Sequence, residues 1–366
     1  MAGKPLLDSR KAAPRLGLVA AVIGARKAGR PFAGQVGDIL RLRRRPSRLT
    51  SKEYYLFRLY EPGRTEDDKR AFLGERGQRE VFRRLVDAGW AAAAHDKLLY
   101  YAVMRGLGFE VPRVLAVCHP SRRFAGAESL ANPAEIAAFL RRAAYPMFGK
   151  PVTGKYSVGT VALAGHDAAG DLVRTAAGDV AKVEDFVAEL AAFGTDGYLF
   201  QERLVAHPFV REVCGDRIAT VRVVVLLEPV GPRVMRALWK IPAGRHVADN
   251  FWRAGNLLAA LDGDGRLTRV VEGVGPAQRV IEAHPDTGFR LLGARLPDWD
   301  ALVRLVLEAA PAFPGILMQA WDVALTERGL LLLELNIGGD VNLPQHAFGE
   351  GIYHDRVRAL AEARGA

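Results

Sequence analysis

Cysteine is nearly absent: Cys118 and Cys214 are the two in 366 residues, and neither stands in a metal-ligand spacing. They offer no disulfide framework and no zinc motif, and a reducing cytoplasm is the expected setting. Long apolar runs are missing too. The longest early stretch, Leu16 to Ala25, holds two glycines and falls short of the roughly 18 to 20 apolar residues that span a bilayer. No small-residue cleavage site precedes the basic segment after it, so no secretory signal is expected. Acidic residues are scarce in one place. Residues 1–48 hold twelve Lys or Arg but only Asp8 and Asp38, which accounts for the whole net charge of +10. The rest of the chain is neutral.

What remains is globular composition, 49% hydrophobic and 25% charged, long enough for two or three domains or lobes with a sizeable core. The basic segment reads as an arm set apart from this body. Solvation or local pairing is the plain account of it, and contact with anionic lipid or a polyanion is the functional one. Nucleic acid is disfavoured, because no binding module or aromatic-basic interleaving accompanies the charges. Removing residues 1–48 is expected to weaken adsorption to anionic vesicles or polyanions while sparing the nucleotide affinity of the body. The localisation expected is cytoplasmic, with peripheral contact at the inner membrane surface as an option.

Apolar spacing predicts helices over Leu49 to Leu59, Arg79 to Trp90 and Asp96 to Gly106, the last with Leu98, Leu99, Val103 and Met104 as a buried stripe. Asn132-Pro133 opens a helix through Arg142, with Asn132 as its N-cap. From Tyr145 the pattern turns to strands and tight turns: Met147 to Val152, Thr160 to Ala164, Tyr198 to Val205, Ile218 to Glu228 and Arg233 to Ile241. Asn256 to Leu261 and Leu267 to Val271 flank Asp262-Gly263-Asp264-Gly265, a strong turn signal. Helices are expected over Val183 to Phe193 and Trp299 to Ala310. The class is α+β with mainly antiparallel sheets.

The most informative stretch is Leu317 to Leu325, a short turn, then Leu330 to Asn336. Two apolar strands with a glycine in the turn read as a hairpin. A three-residue loop, Glu327-Arg328-Gly329, would pair Thr326 with Leu330 and set Asp322 across from Glu334. Asn336, two residues on, shares the face of Glu334. Two carboxylates and an amide oxygen on one side of an apolar sheet are costly to bury without a cation. Hard oxygens in small number suit Mg²⁺, which completes its shell with water and nucleotide phosphates. Edge-strand carboxylates that simply face solvent are the alternative.

Upstream, Phe148-Gly-Lys150-Pro is followed by a small-residue loop that includes Gly154 and Ser157 and ends at Gly159. A strand lysine can hold a phosphate as a point charge while loop amides donate to its oxygens. An ordinary hairpin with a surface lysine fits equally well. The segment matches neither the P-loop nor the dinucleotide-binding fingerprint. The strand Tyr198 to Leu204 could read an adenine edge with Gln201, Glu202 and Leu204, or be plain core.

In order, Asp96-Lys97-Leu-Leu, Gly108-Phe-Glu-Val-Pro112, Phe148-Gly-Lys-Pro151, Gln201-Glu202-Arg-Leu, Asp322 and Glu334-Leu-Asn336 resemble the ATP-grasp superfamily over about residues 90 to 350. Ser51-Lys-Glu-Tyr-Tyr55, His207-Pro208, Ile218-Ala-Thr-Val-Arg222, Asp249-Asn250 and Gly339-Asp340 are most similar to its sugar-transfer-associated group. The resemblance implies an α+β ATP-grasp fold, two lobes sandwiching the nucleotide, with an N-terminal helical extension. The divisions expected are 1–90, basic arm and helical region; 91–145, a preface-like segment; 146–205, the small lobe with the glycine loop; and 206–366, the large lobe with the metal hairpin.

It also implies ATP and Mg²⁺, with Lys97 and Lys150 on the phosphates, adenine near Gln201 to Leu204, and metal on Asp322, Glu334 and Asn336. The ribose-binding acid found after the adenine strand in many relatives is replaced by His207, either a ligand or a structural histidine. Arg222, central in an apolar strand, demands an acidic or phosphate partner. It would steady a transferring phosphate or acyl phosphate, or form a structural ion pair. Lys240, Asp249, Asn250 and Asp340 would line the reaction cleft. The activity implied is an ADP-forming ligase joining a carboxylate and an amine, each free or carried on a peptide or saccharide, through an acyl phosphate. Two alternatives stay open: a phosphotransferase using the same nucleotide site, and a nucleotide-binding assembly factor recruited by its basic arm.

Overall fold

A computed structural model describes residues 5–7, 16–44, 46–154, 158–193, 195–244, 249–337 and 340–364. Two seven-stranded sheets dominate it. The first contains β1 (Val114–Cys118), β2 (Glu128–Leu130), β3 (Met147–Pro151), β4 (Val161–Asp167), β5 (Leu172–Thr175), β6 (Val180–Lys182) and β7 (Tyr198–Glu202), in the order β2-β1-β7-β3-β4-β5-β6. The second contains β8 (Thr220–Glu228), β9 (Gly231–Ile241), β10 (Leu257–Leu261), β11 (Leu267–Glu272), β12 (Arg279–Val280), β13 (Met318–Thr326) and β14 (Gly329–Ile337), in the order β12-β11-β10-β9-β8-β13-β14. Apart from the parallel pair β1 and β2, the neighbours are antiparallel. Residues 91–145 and 146–205 thus contribute to one sheet, since β1 pairs with β7.

Strands buried on both faces need no alternation, and β8 shows why its sequence reads as a nearly unbroken apolar run. Both Val221 and Val224, on opposite faces, are fully buried. Helices Pro133–Arg142 and Val183–Ala191 pack on the first sheet around Phe139, Phe186 and Phe200. The largest core joins β8, β9, β10 and β13 to helices Lys97–Gly106 and Trp299–Ala309.

The helix expected over Arg79 to Trp90 is two helices, Glu75–Leu85 and Ala88–His95. Val86 leaves to form a bridge with Ile316. The Asp87 carboxylate then takes the amides of Gly89 and Trp90, starting a new helix where the old ladder would have continued. In Lys97–Gly106 the expected stripe is rotated: Leu99 is half exposed, and Tyr100 and Tyr101 fill the core instead. Strands β2, β5 and β6 and the helices Pro208–Cys214, Asn342–Phe348 and Asp355–Ala363 went unread.

The N-terminal segment is not set apart from the body. Helices Leu18–Lys27 and Phe32–Leu42 bury Ala21, Ala25 and Leu42 with Leu49, Tyr54, Tyr55 and Phe72. Asp38 sits fully buried at their base. It takes hydrogen bonds from Arg30 (2.6 and 3.0 Å), Tyr54 (3.0 Å) and Lys69 (3.0 Å), and a short one from Arg41. Burial opposes its ionisation, but these donors outweigh it and hold its carboxyl below the usual value. Asp38→Asn should therefore destabilise the protein by about 2–4 kcal/mol, because the buried Lys69 loses its counter-charge and Arg30 and Arg41 lose theirs. A lower midpoint of thermal unfolding would register this; an unchanged midpoint would show that the segment is energetically separate. Removal of residues 1–48 should likewise uncover core rather than spare the body.

Candidate active site

The Asp96 side chain accepts from the amides of Leu98 (3.0 Å) and Leu99 (3.1 Å), fixing where the helix Lys97–Gly106 begins. This places Lys97 in the first turn, buried, with Nζ 3.3 Å from the Gly154 carbonyl and 3.5 Å from that of Val152. The lysine is thereby tied to the start of the glycine loop. Burial lowers its pKa, with Glu334 and Asp96 opposing the fall. Gly159, at the loop's other end, has φ +72°, and a Cβ there would lie 2.7 Å from Phe193, so glycine is required. Ser157 lies outside the described residues.

Lys150, on β3, is buried and donates to the Tyr101 hydroxyl at 2.8 Å; Tyr101 donates on to Gln201 Oε1 at 3.2 Å. Burial is the main cause that takes the Lys150 pKa down to about 7, with the nearby Lys97 charge adding to the fall and Glu334 resisting it. Tyr101 belongs to this site although the sequence reading passed over it. It stands four residues after Lys97, and that spacing puts both on one helical face.

On the second sheet, Asp322 is the register partner of Arg222 on one side and of Glu334 on the other. Arg222 forks onto both Asp322 oxygens, Nε to Oδ1 at 2.7 Å and Nη2 to Oδ2 at 2.8 Å, and its Nη1 reaches Asp340 at 3.0 Å. Lys240, on β9, donates to Asp322 Oδ2 at 2.9 Å and stands 3.7 Å from Asp249. Burial pulls against the charge of every member. Even so, Arg222 and Lys240 hold the Asp322 carboxyl well below its usual range, and the carboxylates lift both cations above theirs. For Asp249, burial wins and raises the pKa despite Lys240 and Thr220.

The facing of Asp322 and Glu334 arises differently from the expected turn. Thr326 pairs with Gly329, a two-residue turn, and a bulge between Asp322 and Val323 restores the one-residue offset at Leu333. Asn336 turns its amide nitrogen to Glu334 Oε1 (3.1 Å) and Asp322 Oδ2 (3.3 Å).

This donor set suits Mg²⁺ in part. Glu334 is half-buried and, among the described residues, is hydrogen-bonded by Asn336. Asn336 would offer its oxygen after a rotation of the amide. Asp322 already accepts from Arg222, Lys240 and Asn336, so a metal there would compete with its donors. No group of three or more His, Cys, Asp or Glu side chains gathers as a metal cage among the described residues. A divalent ion here would lean on phosphate oxygens, as Mg²⁺ sites commonly do.

The other residues singled out divide. Glu202 accepts from the Arg113 amide (2.8 Å) and from Arg328 (2.6 Å) at the end of β7, and Leu204 is half-buried just beyond it. His207 closes the N-terminus of Pro208–Cys214 through Nδ1, which accepts from the Phe209 amide at 3.1 Å. Asp249 accepts from the Thr220 amide at 2.9 Å, and Asn250 closes a turn onto the Trp252 amide at 3.1 Å. Asp340 takes part through Arg222.

Lys97 at its helix start, Lys150 on the first sheet and the cluster of the second share one charge. Glu334 acts on Lys97, Lys150, Arg222 and Lys240 together.

Among solved structures, the fold is similar to the ATP-grasp ligase PsnB complexed with minimal precursor, at 18% identity over 75% of this chain and 62% of that one, TM-score 0.39. It is similar to the D-alanine-D-alanine ligase from Coxiella burnetii, at 15% identity over 76% and 60%, TM-score 0.42. The L-amino acid ligase from Bacillus licheniformis matches at 12% identity over 74% and 48%, TM-score 0.39. This chain thus spans between about half and six-tenths of the length of those chains. A search of curated proteins finds no match. The family model described as sugar-transfer associated ATP-grasp matches residues 79–360, which takes in both sheets and every side chain of the cluster. The chain belongs to the sugar-transfer-associated ATP-grasp family.

Proposed function

We propose that this chain is an ADP-forming ligase that joins a carboxylate to an amine. The observation that carries the reading is the set of four buried cations, Lys97 at a helix start, Lys150 on the first sheet and Arg222 and Lys240 on the second, whose charges Glu334 offsets in common. Lys97 and Lys150 meet carbonyls and a hydroxyl rather than carboxylates, which suits a substrate that brings several negative charges. Lys97 and Lys150 would neutralise phosphate oxygens, and Arg222 and Lys240 would hold the transferring phosphoryl group against the substrate carboxylate. A carboxylate oxygen displaces ADP from the γ-phosphorus. The amine nitrogen then displaces phosphate from the acyl carbon and sheds one proton. Mg²⁺, held by Glu334 and Asn336 with Asp322 beside them, would supply charge neutralisation at the phosphates. Release of ADP and phosphate that requires both a carboxylate and an amine, with a condensed product by mass, would support the proposal. A stable phosphorylated product, or AMP, would overturn it.

Lys150 adds a pH dependence. Its ammonium is complete below its free pKa of about 7, and bound phosphates raise that pKa. Nucleotide binding should take up a proton above pH 7, so affinity should be level at lower pH and then weaken by up to about tenfold per unit. Calorimetry in buffers of different ionisation enthalpy would count the proton. Lys150→Met should bind more weakly and lose the slope; an unchanged slope in that variant would assign the proton elsewhere.

A further inference from the structure

Six of the thirteen exposed large apolar side chains among the described residues fall between positions 18 and 40. On helix Phe32–Leu42 they form an i, i+4, i+8 row: Phe32 is 63% exposed, Val36 38% and Leu40 57%. On helix Leu18–Lys27 the outward positions include Val19 (76%) and Ile23 (50%). Both helices bury their opposite faces in one core, through Ala21 and Ala25 on the first and Leu42 on the second. These rows are therefore surplus to folding, and a cluster of this kind on a soluble surface marks a contact site.

Charge identifies what is contacted. Exposed Arg26 and Lys27 lie on the outward face of the first helix, and exposed Arg43 and Arg44 extend the Phe32–Val36–Leu40 row past its end. The one acidic residue between positions 16 and 44 is Asp38, which is buried and paired with Arg30 and Lys69. Apolar side chains beside basic ones, with no exposed acid on the two helices themselves and Glu66 of the neighbouring helix engaged by Arg41, fit a surface that is anionic outside and apolar a few ångströms below. No helix of the described residues is long and apolar enough to cross a membrane.

We propose that the helical pair 18–42 docks the enzyme on anionic lipid bilayers, inserting Val19, Ile23, Phe32, Val36 and Leu40 among the headgroups while Arg26, Lys27, Arg43 and Arg44 meet lipid phosphates and carboxylates. The full chain should sediment with phosphatidylcholine vesicles containing phosphatidylserine and stay in solution with phosphatidylcholine alone. The double variant Phe32→Ser/Leu40→Ser should weaken binding roughly tenfold or more, because it removes inserted apolar area. Arg43→Glu/Arg44→Glu should do likewise through charge, and added salt should mimic it. Both pairs are exposed, so circular dichroism and thermal midpoint should match the parent. Failure to bind either vesicle overturns the proposal. Full binding by the serine variant also overturns it, leaving a polyanion contact made by charge alone. A concentration-dependent dimer that the serine variant abolishes would overturn it in favour of a second copy of this chain.

Discussion

Arg222→Met should destabilise the protein by about 3–5 kcal/mol, the usual result of stranding one partner of a buried ion pair. Asp322 would keep Lys240 and Asn336 but lose the fork that meets both of its oxygens. The parent's stability should also fall in acid. The Asp322 pKa is depressed in the folded protein, so its contribution is complete above the unfolded value near 3.8 and is lost as pH falls through the lower folded value. The double variant Arg222→Met/Asp322→Leu should recover much of the loss, since apolar replacement of a buried pair is commonly neutral or better. It should nevertheless remain inactive. Urea unfolding midpoints for the two variants provide the check. If Arg222→Met unfolds with the parent, the pair contributes nothing to stability and belongs to the substrate alone.

This pair also shows what a linear reading can and cannot reach. Arg222 and Asp322 were each conspicuous as charges inside apolar strands; Asp322 was given a metal as partner, and Arg222 either a phosphate or an acid that the sequence left unnamed. That they are partners of each other follows from β8 lying against β13, a pairing across a hundred residues that no local pattern encodes. Within the hairpin the signal was local, and Asp322 does face Glu334. The expected turn was one residue too long and the bulge at Leu333 was unforeseen, and the two errors cancel. Tyr101 was legible in principle, at helical spacing from Lys97, but an aromatic there reads as core. His207 stood open between ligand and structural histidine, and its place before Pro208, at a helix start, is the signal that favours the structural role.

The N-terminal segment misled by its charge. Counting charges placed it apart from the body, whereas Ala21, Ala25, Leu42 and the buried Asp38 anchor it. Asp38 was half of the acidic count and the informative half. The short strands β5 and β6 and the C-terminal helices lacked a pattern long enough to rise above loop.

Glu334→Gln should lower turnover by roughly 10²–10⁴-fold while leaving the fold intact. The side chain is half-buried on the edge strand β14, and glutamine keeps its shape and can still accept from Asn336. What changes is the negative charge that Lys97, Lys150, Arg222 and Lys240 feel in common. Two consequences separate this charge from a structural one. Loss of Glu334 should lower the Lys150 pKa below about 7, moving the pH at which nucleotide affinity begins to fall toward acid. The dependence of turnover on Mg²⁺ concentration should also weaken, because the carboxylate best placed to share a cation with phosphate is gone. Affinity for nucleotide without metal should hold or rise, since an anion has been removed from its path. Calorimetry with and without Mg²⁺, beside a turnover assay, reads all three. Parental turnover in Glu334→Gln would remove this carboxylate from the chemistry and leave the four cations to act on phosphate by themselves.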